Sequence, residues 1–203
     1  MGRPVCMFTR LAPRHSGRAL CIMRIRQFIR VLTLLAGSAF SQAFDCAGAS
    51  EPEIVGSFGF SNQVQHALML LKTRDADAFA IVTNYIGRIQ EGERSGMWAY
   101  KTHPTYEMTD ASAFYSLSWC ATTIAHDSFH SKLYREYQHE HGGRVPDAIW
   151  TGPAAERQCM KHQLLVMERI GATKWEIDYA KKQADGHYEK ENETWQEYKK
   201  RNW

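Results

Sequence analysis

The chain carries the stretch ATTIAHDSFHSKLY at residues 121–134, and the other predicted elements are arranged around it. His126 and His130 are four residues apart, and Asp127 directly follows the first of them. The apolar residues between and beside them favour a buried or half-buried helix. Side chains four positions apart lie on the same face of a helix, so both imidazoles are predicted to point the same way. Two imidazoles at this spacing can supply two ligands of a tetrahedral zinc site.

A third candidate ligand opens the next predicted helix. Glu156 lies in the stretch AAERQCMKHQ, 26 positions after His130. Two histidines and one glutamate form the ligand set of catalytic zinc sites that keep the fourth position for water. We therefore predict that His126, His130 and Glu156 bind Zn²⁺. A glutamate in the first turn of a helix is also favoured by the helix dipole, which leaves a purely structural role open for Glu156.

At these residues the sequence resembles the gluzincin group of zinc metallopeptidases. The likeness covers roughly residues 95–171, where HDSFH at 126–130 corresponds to the H-E-x-x-H motif and Glu156 to the third zinc ligand. The resemblance implies a metalloprotease-like core in which Asp127 is the general base. It also implies that a strand before the histidine helix, 97–100 or 105–109, binds an extended peptide by edge pairing.

The sequence departs from this family pattern at two positions. Asp127 replaces the glutamate base, and Met160 replaces the acid commonly found four residues after the third ligand. Aspartate has a similar intrinsic pKa but is one methylene shorter, and a misplacement of about 1 Å can cost on the order of 100-fold in rate. Asp127 is therefore either the general base or an acceptor that holds a histidine tautomer. The metzincin pattern fits less well, because Leu133 stands where that motif has glycine.

The predicted function is that of an exported zinc-dependent hydrolase, most simply a peptidase acting on a peptide or protein. The alternative is a non-catalytic metal-binding or protein-interaction domain of the cell envelope on the same scaffold. A third reading has no metal and places the histidine pair in the core of a structural domain.

Residues 1–43 have the composition of a secretory signal peptide. They contain seven arginines and no acid, followed by an apolar run at 31–36 and the small residues Ser-Gln-Ala at 41–43. Met23 would give a signal of ordinary length. The apolar run is too short for a membrane-spanning helix, so we expect a periplasmic or secreted protein without stable membrane insertion after cleavage.

Removal of this segment changes the charge and cysteine content. The full chain has a net charge of +3, whereas residues 44–203 keep 18 basic and 22 acidic residues, or −4, which argues against a nucleic-acid partner. Cys46, Cys120 and Cys159 remain. An oxidising compartment favours one disulfide, and we predict Cys120–Cys159, although the sequence leaves the other pairings open.

The hydrophobic patterns predict an α+β fold that is mainly helical, with a small β-hairpin or sheet. We expect a flexible segment at 44–60, a single domain at 61–203 with its zinc-site core at about 95–171, and a charged tail at 185–203. Strands are predicted at 96–100 and 105–109. The first predicted helix begins at Ser61 or Asn62. Four more are predicted, from Asp75 to about Gly92, from Asp110 or Ser112 to about Gln138, from Ala154 to Gly171, and from Trp175 to about Ala184.

Overall fold

The computed structural model describes residues 50–187, which form a mainly helical α+β fold, as predicted. The helices are α1 (Phe58–Arg74), α2 (Ala76–Tyr85), α3 (Asp110–Ala113), α4 (Leu117–His141), α5 (Asp147–Trp150), α6 (Pro153–Ile170) and α7 (Lys174–His187). The strands are β1 (Glu53–Val55), β2 (Arg88–Glu91), β3 (Gly96–Trp98) and β4 (Thr105–Met108). Within the described range, no helix combines the length and apolar character needed to cross a membrane.

Helix α4 is the centre of the fold and packs against α1, α2 and α6. Every residue from Trp119 to His126 is buried, so this half of the helix has neighbours on all sides. The helix begins at Leu117 because the backbone of Ser116 is extended and not helical. The Ser116 hydroxyl caps the helix by accepting a hydrogen bond from the Trp119 amide. The predicted start at Asp110 or Ser112 instead falls in the separate short helix α3.

Side-chain N-caps mark the first residues of α1 and α2. Ser57 accepts a hydrogen bond from the Phe60 amide, so α1 begins earlier than the predicted Ser61 or Asn62. Gly56 precedes this cap, and a Cβ atom there would come within 2.7 Å of the Glu91 carboxylate, which leaves room only for glycine. Asp75 caps α2 at the predicted position.

The four strands form one mixed sheet in the order β1-β2-β4-β3. Strands β3 and β4 pair antiparallel, which confirms the predicted hairpin, while β1, β2 and β4 are parallel. Buried Ile89 on β2 lies beside buried Tyr106 on β4. This arrangement places β3 at one edge of the sheet and β4 in its interior.

Two predictions for this region were wrong. The second helix was expected to continue to about Gly92, but it ends at Tyr85, and the chain turns into an extended conformation at Ile86. The segment 44–60 was expected to be flexible, yet Glu53–Val55 pairs with β2. Both errors concern β1 and β2, whose pairing partners are distant in the sequence and therefore leave no local signal.

The last two helices follow the local signals closely. Helix α6 ends at Gly171, which adopts the left-handed conformation with φ of 79°, as the glycine predicted. Helix α7 begins one residue before the predicted Trp175, and Thr173 and Glu176 cap each other reciprocally. Of the predicted charged tail, residues 188–203 lie outside the described range.

The predicted disulfide between Cys120 and Cys159 is wrong. Both residues are buried free thiols in the described part of the chain. The Cys120 sulfur packs 3.9 Å from the Met108 sulfur in the core between α4 and the sheet. Cys159 on α6 instead faces the ring of His130. Cys46 lies outside the described residues.

Candidate metal centre

The two histidines of HDSFH meet in the interior of the protein. The exposed fractions of His126 and His130 are 8% and 6%, and their Nε2 atoms lie 3.0 Å apart. The prediction that one turn of α4 points both imidazoles the same way is therefore confirmed.

The other ring nitrogen of each histidine is held by an oxygen atom. Nδ1 of His126 lies 2.9 Å from Oε1 of Gln163 on α6, and Nδ1 of His130 lies 2.5 Å from the Trp150 backbone carbonyl on α5. A carbonyl oxygen only accepts, so Nδ1 carries the proton in each ring and donates it. This arrangement directs the lone pair of each neutral ring onto Nε2, the atom that faces the other histidine.

Glu156 completes the cluster from the first turn of α6, which packs directly on α4. Its Oε2 lies 3.4 Å from Nε2 of His126, and its Oε1 lies 3.4 Å from Nε2 of His130. Oε2 is buried and has no hydrogen-bond partner. The structure thus brings together all three predicted metal ligands, His126, His130 and Glu156.

The side chains of His126, His130 and Glu156 bring several lone pairs close together. Two imidazole lone pairs and one carboxylate converge in a largely buried place where water screens their repulsion only weakly. Such a cluster is stable only if a cation, either a proton or a metal ion, lies among the donor atoms.

The distances between the donor atoms fit a metal ion. With bonds of about 2.0–2.2 Å to nitrogen and oxygen, neighbouring ligands of a tetrahedral zinc ion lie about 3.3–3.6 Å apart. The two separations between an imidazole Nε2 and a carboxylate oxygen, both 3.4 Å, lie in this range, and the 3.0 Å between the two Nε2 atoms is slightly shorter.

The pKa values of the cluster agree with its demand for positive charge. Burial acts to lower the pKa of His130, but hydrogen bonds to Cys159 and Glu156 outweigh it and raise that pKa well above its usual value. Burial acts to raise the pKa of Glu156, but its bonds to His126 and His130 hold it well below its usual range.

Asp127 lies on α4 immediately beside these groups. Burial raises the pKa of Asp127 to about 6, although the charges of His126 and His130 act in the opposite direction. The hydroxyl of Tyr106, which is fully buried on β4, is near enough to lower this pKa in part. Asp127 is thus a half-buried carboxyl group between the metal-ligand cluster and the sheet.

Cys159 is a fourth donor that the sequence prediction assigned to a disulfide. The ligand atoms of His126, His130 and Cys159 all lie within 4.8 Å of one another, and all three residues are buried. This group could hold a metal ion. Cys159 is three residues after Glu156, and this helical spacing was the signal that could have placed it at the site.

Gln163 and the Trp150 carbonyl were also missed. Gln163 lies four residues after Cys159 and so shares its face of α6. The Trp150 carbonyl belongs to the short helix α5, and no property of its side chain reveals that its backbone accepts from His130. Of the remaining histidines of α4, His139 and His141 are exposed at its C-terminal end, away from the buried cluster.

No protein-family model, curated protein or solved structure matches the chain.

Proposed function

We propose that this protein is a zinc-dependent hydrolase of the gluzincin type, acting on peptides, with His126, His130 and Glu156 as zinc ligands. The single observation that carries this proposal is the convergence of two Nε2 atoms 3.0 Å apart, each on a ring whose Nδ1 is bound to an oxygen. An oxygen acceptor behind each histidine is the typical environment of a metal-binding imidazole.

The sheet offers a binding edge for an extended peptide. Of the two strands proposed for this role, β4 is paired on both sides, whereas β3 (Gly96–Trp98) is the edge strand of the sheet in the described residues. β3 also contacts α4, the helix that carries the histidines. A peptide paired with β3 would have its main chain fixed by hydrogen bonds.

Asp127 supplies the proton transfer in this proposal. The metal, when bound, polarises the scissile carbonyl and lowers the pKa of the attacking water. Asp127 takes a proton from that water and gives it to the leaving nitrogen, which avoids expulsion of an amide anion. Gln163 and the Trp150 carbonyl keep His126 and His130 in one tautomer and orientation throughout.

The direct test is hydrolysis of a library of fluorescence-quenched peptides by the full chain. The proposal predicts cleavage that stops after metal chelation and returns on addition of Zn²⁺. His126→Ala/His130→Ala should be inactive, and the matched control His139→Ala/His141→Ala, at the exposed end of the same helix, should cleave normally. Cleavage that survives in the first variant would contradict the proposal.

A second candidate is a non-catalytic metal-binding domain. One observation favours it: the ligand atoms of buried His126, His130 and Cys159 lie within 4.8 Å of one another, and cysteine and histidine are the ligands of structural zinc sites. This candidate predicts bound zinc, no cleavage of any peptide in the library, and a large loss of thermal stability when the metal is removed.

Export is part of the proposal and rests on the composition of residues 1–43, which lie outside the described range. Sequencing the N-terminus of the protein recovered from the periplasm or medium tests it. We expect a mature chain that begins near residue 44, whereas an intact N-terminus on protein retained in the cytoplasm would contradict export.

A further inference from the structure

Cys159 lies on the same face of α6 as Glu156, one turn further along the helix. Its side chain is fully buried, and its sulfur is within 4.8 Å of the ligand atoms of both His126 and His130. The cluster thus contains two nitrogen donors, one carboxylate and one sulfur. The two histidines come from α4, and the other two donors come from α6.

The distances place the sulfur close to a coordination position. With bonds of about 2.3 Å to sulfur and 2.0–2.1 Å to nitrogen, the sulfur and nitrogen ligands of a tetrahedral zinc ion lie about 3.6 Å apart. Thiolate is also a preferred ligand for zinc.

The second buried cysteine provides a contrast within the same molecule. Cys120 is equally buried, but its sulfur packs against the Met108 sulfur at 3.9 Å, on the sheet side of α4. Burial raises the pKa of Cys120 to about 12, with no neighbour acting against it, as expected for an inert core thiol. Only Cys159 of these two faces nitrogen donors.

We propose that Cys159 is a fourth protein ligand, which binds the metal as thiolate and occupies the position that hydrolytic sites leave for water. This inference rests on the proposed metal site and concerns its regulation. While the Cys159 sulfur is bound, it excludes water from the metal, so the wild-type protein hydrolyses peptides slowly rather than at its full rate. Displacement of the Cys159 sulfur opens the position for water.

Titration of the metal-free full chain with Co²⁺ tests this assignment, because cobalt replaces zinc and reports its ligands by absorbance. Tetrahedral Co²⁺ gives visible ligand-field bands, and a thiolate ligand adds a charge-transfer band in the near ultraviolet. We expect both signals in the wild type and in the matched control Cys120→Ala. Cys159→Ala and Cys159→Ser should keep the visible bands and lose the charge-transfer band.

Three results would overturn the inference, and the third would also overturn the proposed metal site. Visible Co²⁺ bands without a charge-transfer band in the wild type, or a charge-transfer band that persists in Cys159→Ser, would remove Cys159 from the ligand set and leave the proposed function intact. Absence of any Co²⁺ signal in a folded wild-type protein would contradict the metal site itself. The wild-type spectrum decides the question even if both Cys159 variants fail to fold.

Discussion

Oε1 of Gln163 on α6 lies 2.9 Å from Nδ1 of His126 on α4. The Gln163 side chain is buried, and its oxygen accepts from Nδ1, which holds the imidazole in the tautomer that leaves Nε2 free to bind a metal. Gln163→Ala should therefore lower metal affinity about 10- to 100-fold while leaving all ligands in place. Competition with a fluorescent zinc chelator measures this change.

The matched control for Gln163 is Gln158→Ala on the same helix. Gln158 is exposed and bonds only to the Ala154 backbone in its own helix, so its loss should not alter metal affinity. Equal affinities for wild type and both variants would show that the Gln163 amide does not support the metal-binding histidine.

In the proposed function Asp127 transfers a proton, whereas the ligands bind the metal. Asp127→Asn keeps the shape of the side chain but cannot accept a proton, so we expect peptide cleavage to fall at least about 100-fold, within the range for removal of a general base. Metal content should remain at the wild-type level. Loss of zinc in Asp127→Asn would instead assign Asp127 a structural role.

Asp77→Asn is the control for that experiment, because Asp77 is an exposed carboxylate on α2, remote in the sequence from the ligands. It should leave both metal content and cleavage unchanged. A similar loss of cleavage in both variants would mean that the assay reports general damage to the fold.

Cys159 closes the site in our account, so its removal should increase activity. We expect Cys159→Ala to raise kcat by about tenfold or more, which corresponds to about 1.4 kcal/mol in the activation free energy. The peptide assay at saturating zinc measures this change, with Cys120→Ala as the control. A decrease in kcat with full zinc occupancy would argue against inhibition by Cys159.

Glu176 joins the starts of α7 and α4. Its carboxylate accepts hydrogen bonds from the Thr173 amide and hydroxyl, and from the hydroxyls of Ser116 and Ser118. Burial acts to raise the pKa of Glu176, but these hydrogen bonds outweigh it and hold the pKa below its usual value. Glu176→Gln should lower the free energy of unfolding at pH 7 by about 1–3 kcal/mol.

The sign of the pH dependence follows from the lowered pKa. The stabilisation by Glu176 is fully present above the ordinary glutamate pKa of about 4.3, and it is lost as the pH falls through the lower value in the folded state. Urea unfolding at several pH values should show that wild type and Glu176→Gln differ most near pH 7 and converge in acid. Glu168→Gln, an exposed residue of α6, should follow the wild type at every pH.

Asp75 combines a helix cap with an ion pair. Its carboxylate accepts from the Ala78 amide at 3.2 Å, and its two oxygens lie 3.1 and 3.3 Å from Nη1 of Arg169. Asp75→Ala should destabilise the protein by about 1–2 kcal/mol through loss of the cap, whereas Asp75→Asn keeps the cap and should cost less. Equal unfolding free energies for the two variants would show that the ion pair, and not the cap, dominates.

The histidine helix could be predicted because the residues that define it are close together in the sequence. The spacing of His126 and His130 fixes their common face whatever else packs around α4. Glu156 required one further assumption, that its helix packs against α4, and the structure shows that it does. Local caps were equally informative, since Asp75 and Gly171 mark the ends of helices where the sequence placed them.

The remaining parts of the site depend on contacts between distant segments. The acceptor for His130 is a backbone carbonyl at Trp150, and every residue type has one. Cys159 was paired with Cys120 because each lies within two helical turns of a predicted site residue, although the face of α6 on which Cys159 lies pointed to the histidines. Strands β1 and β2 were missed because their parallel pairing joins residues more than thirty positions apart.

The metal content of the purified protein tests the central claim most directly. Elemental mass spectrometry on wild type, on His126→Ala/His130→Ala and on the control His139→Ala/His141→Ala measures it, with circular dichroism to verify that each is folded. Our account predicts close to one zinc per chain in the wild type and the control, and none in the His126/His130 variant. A folded wild type that contains no zinc and takes up none when zinc is supplied would contradict it.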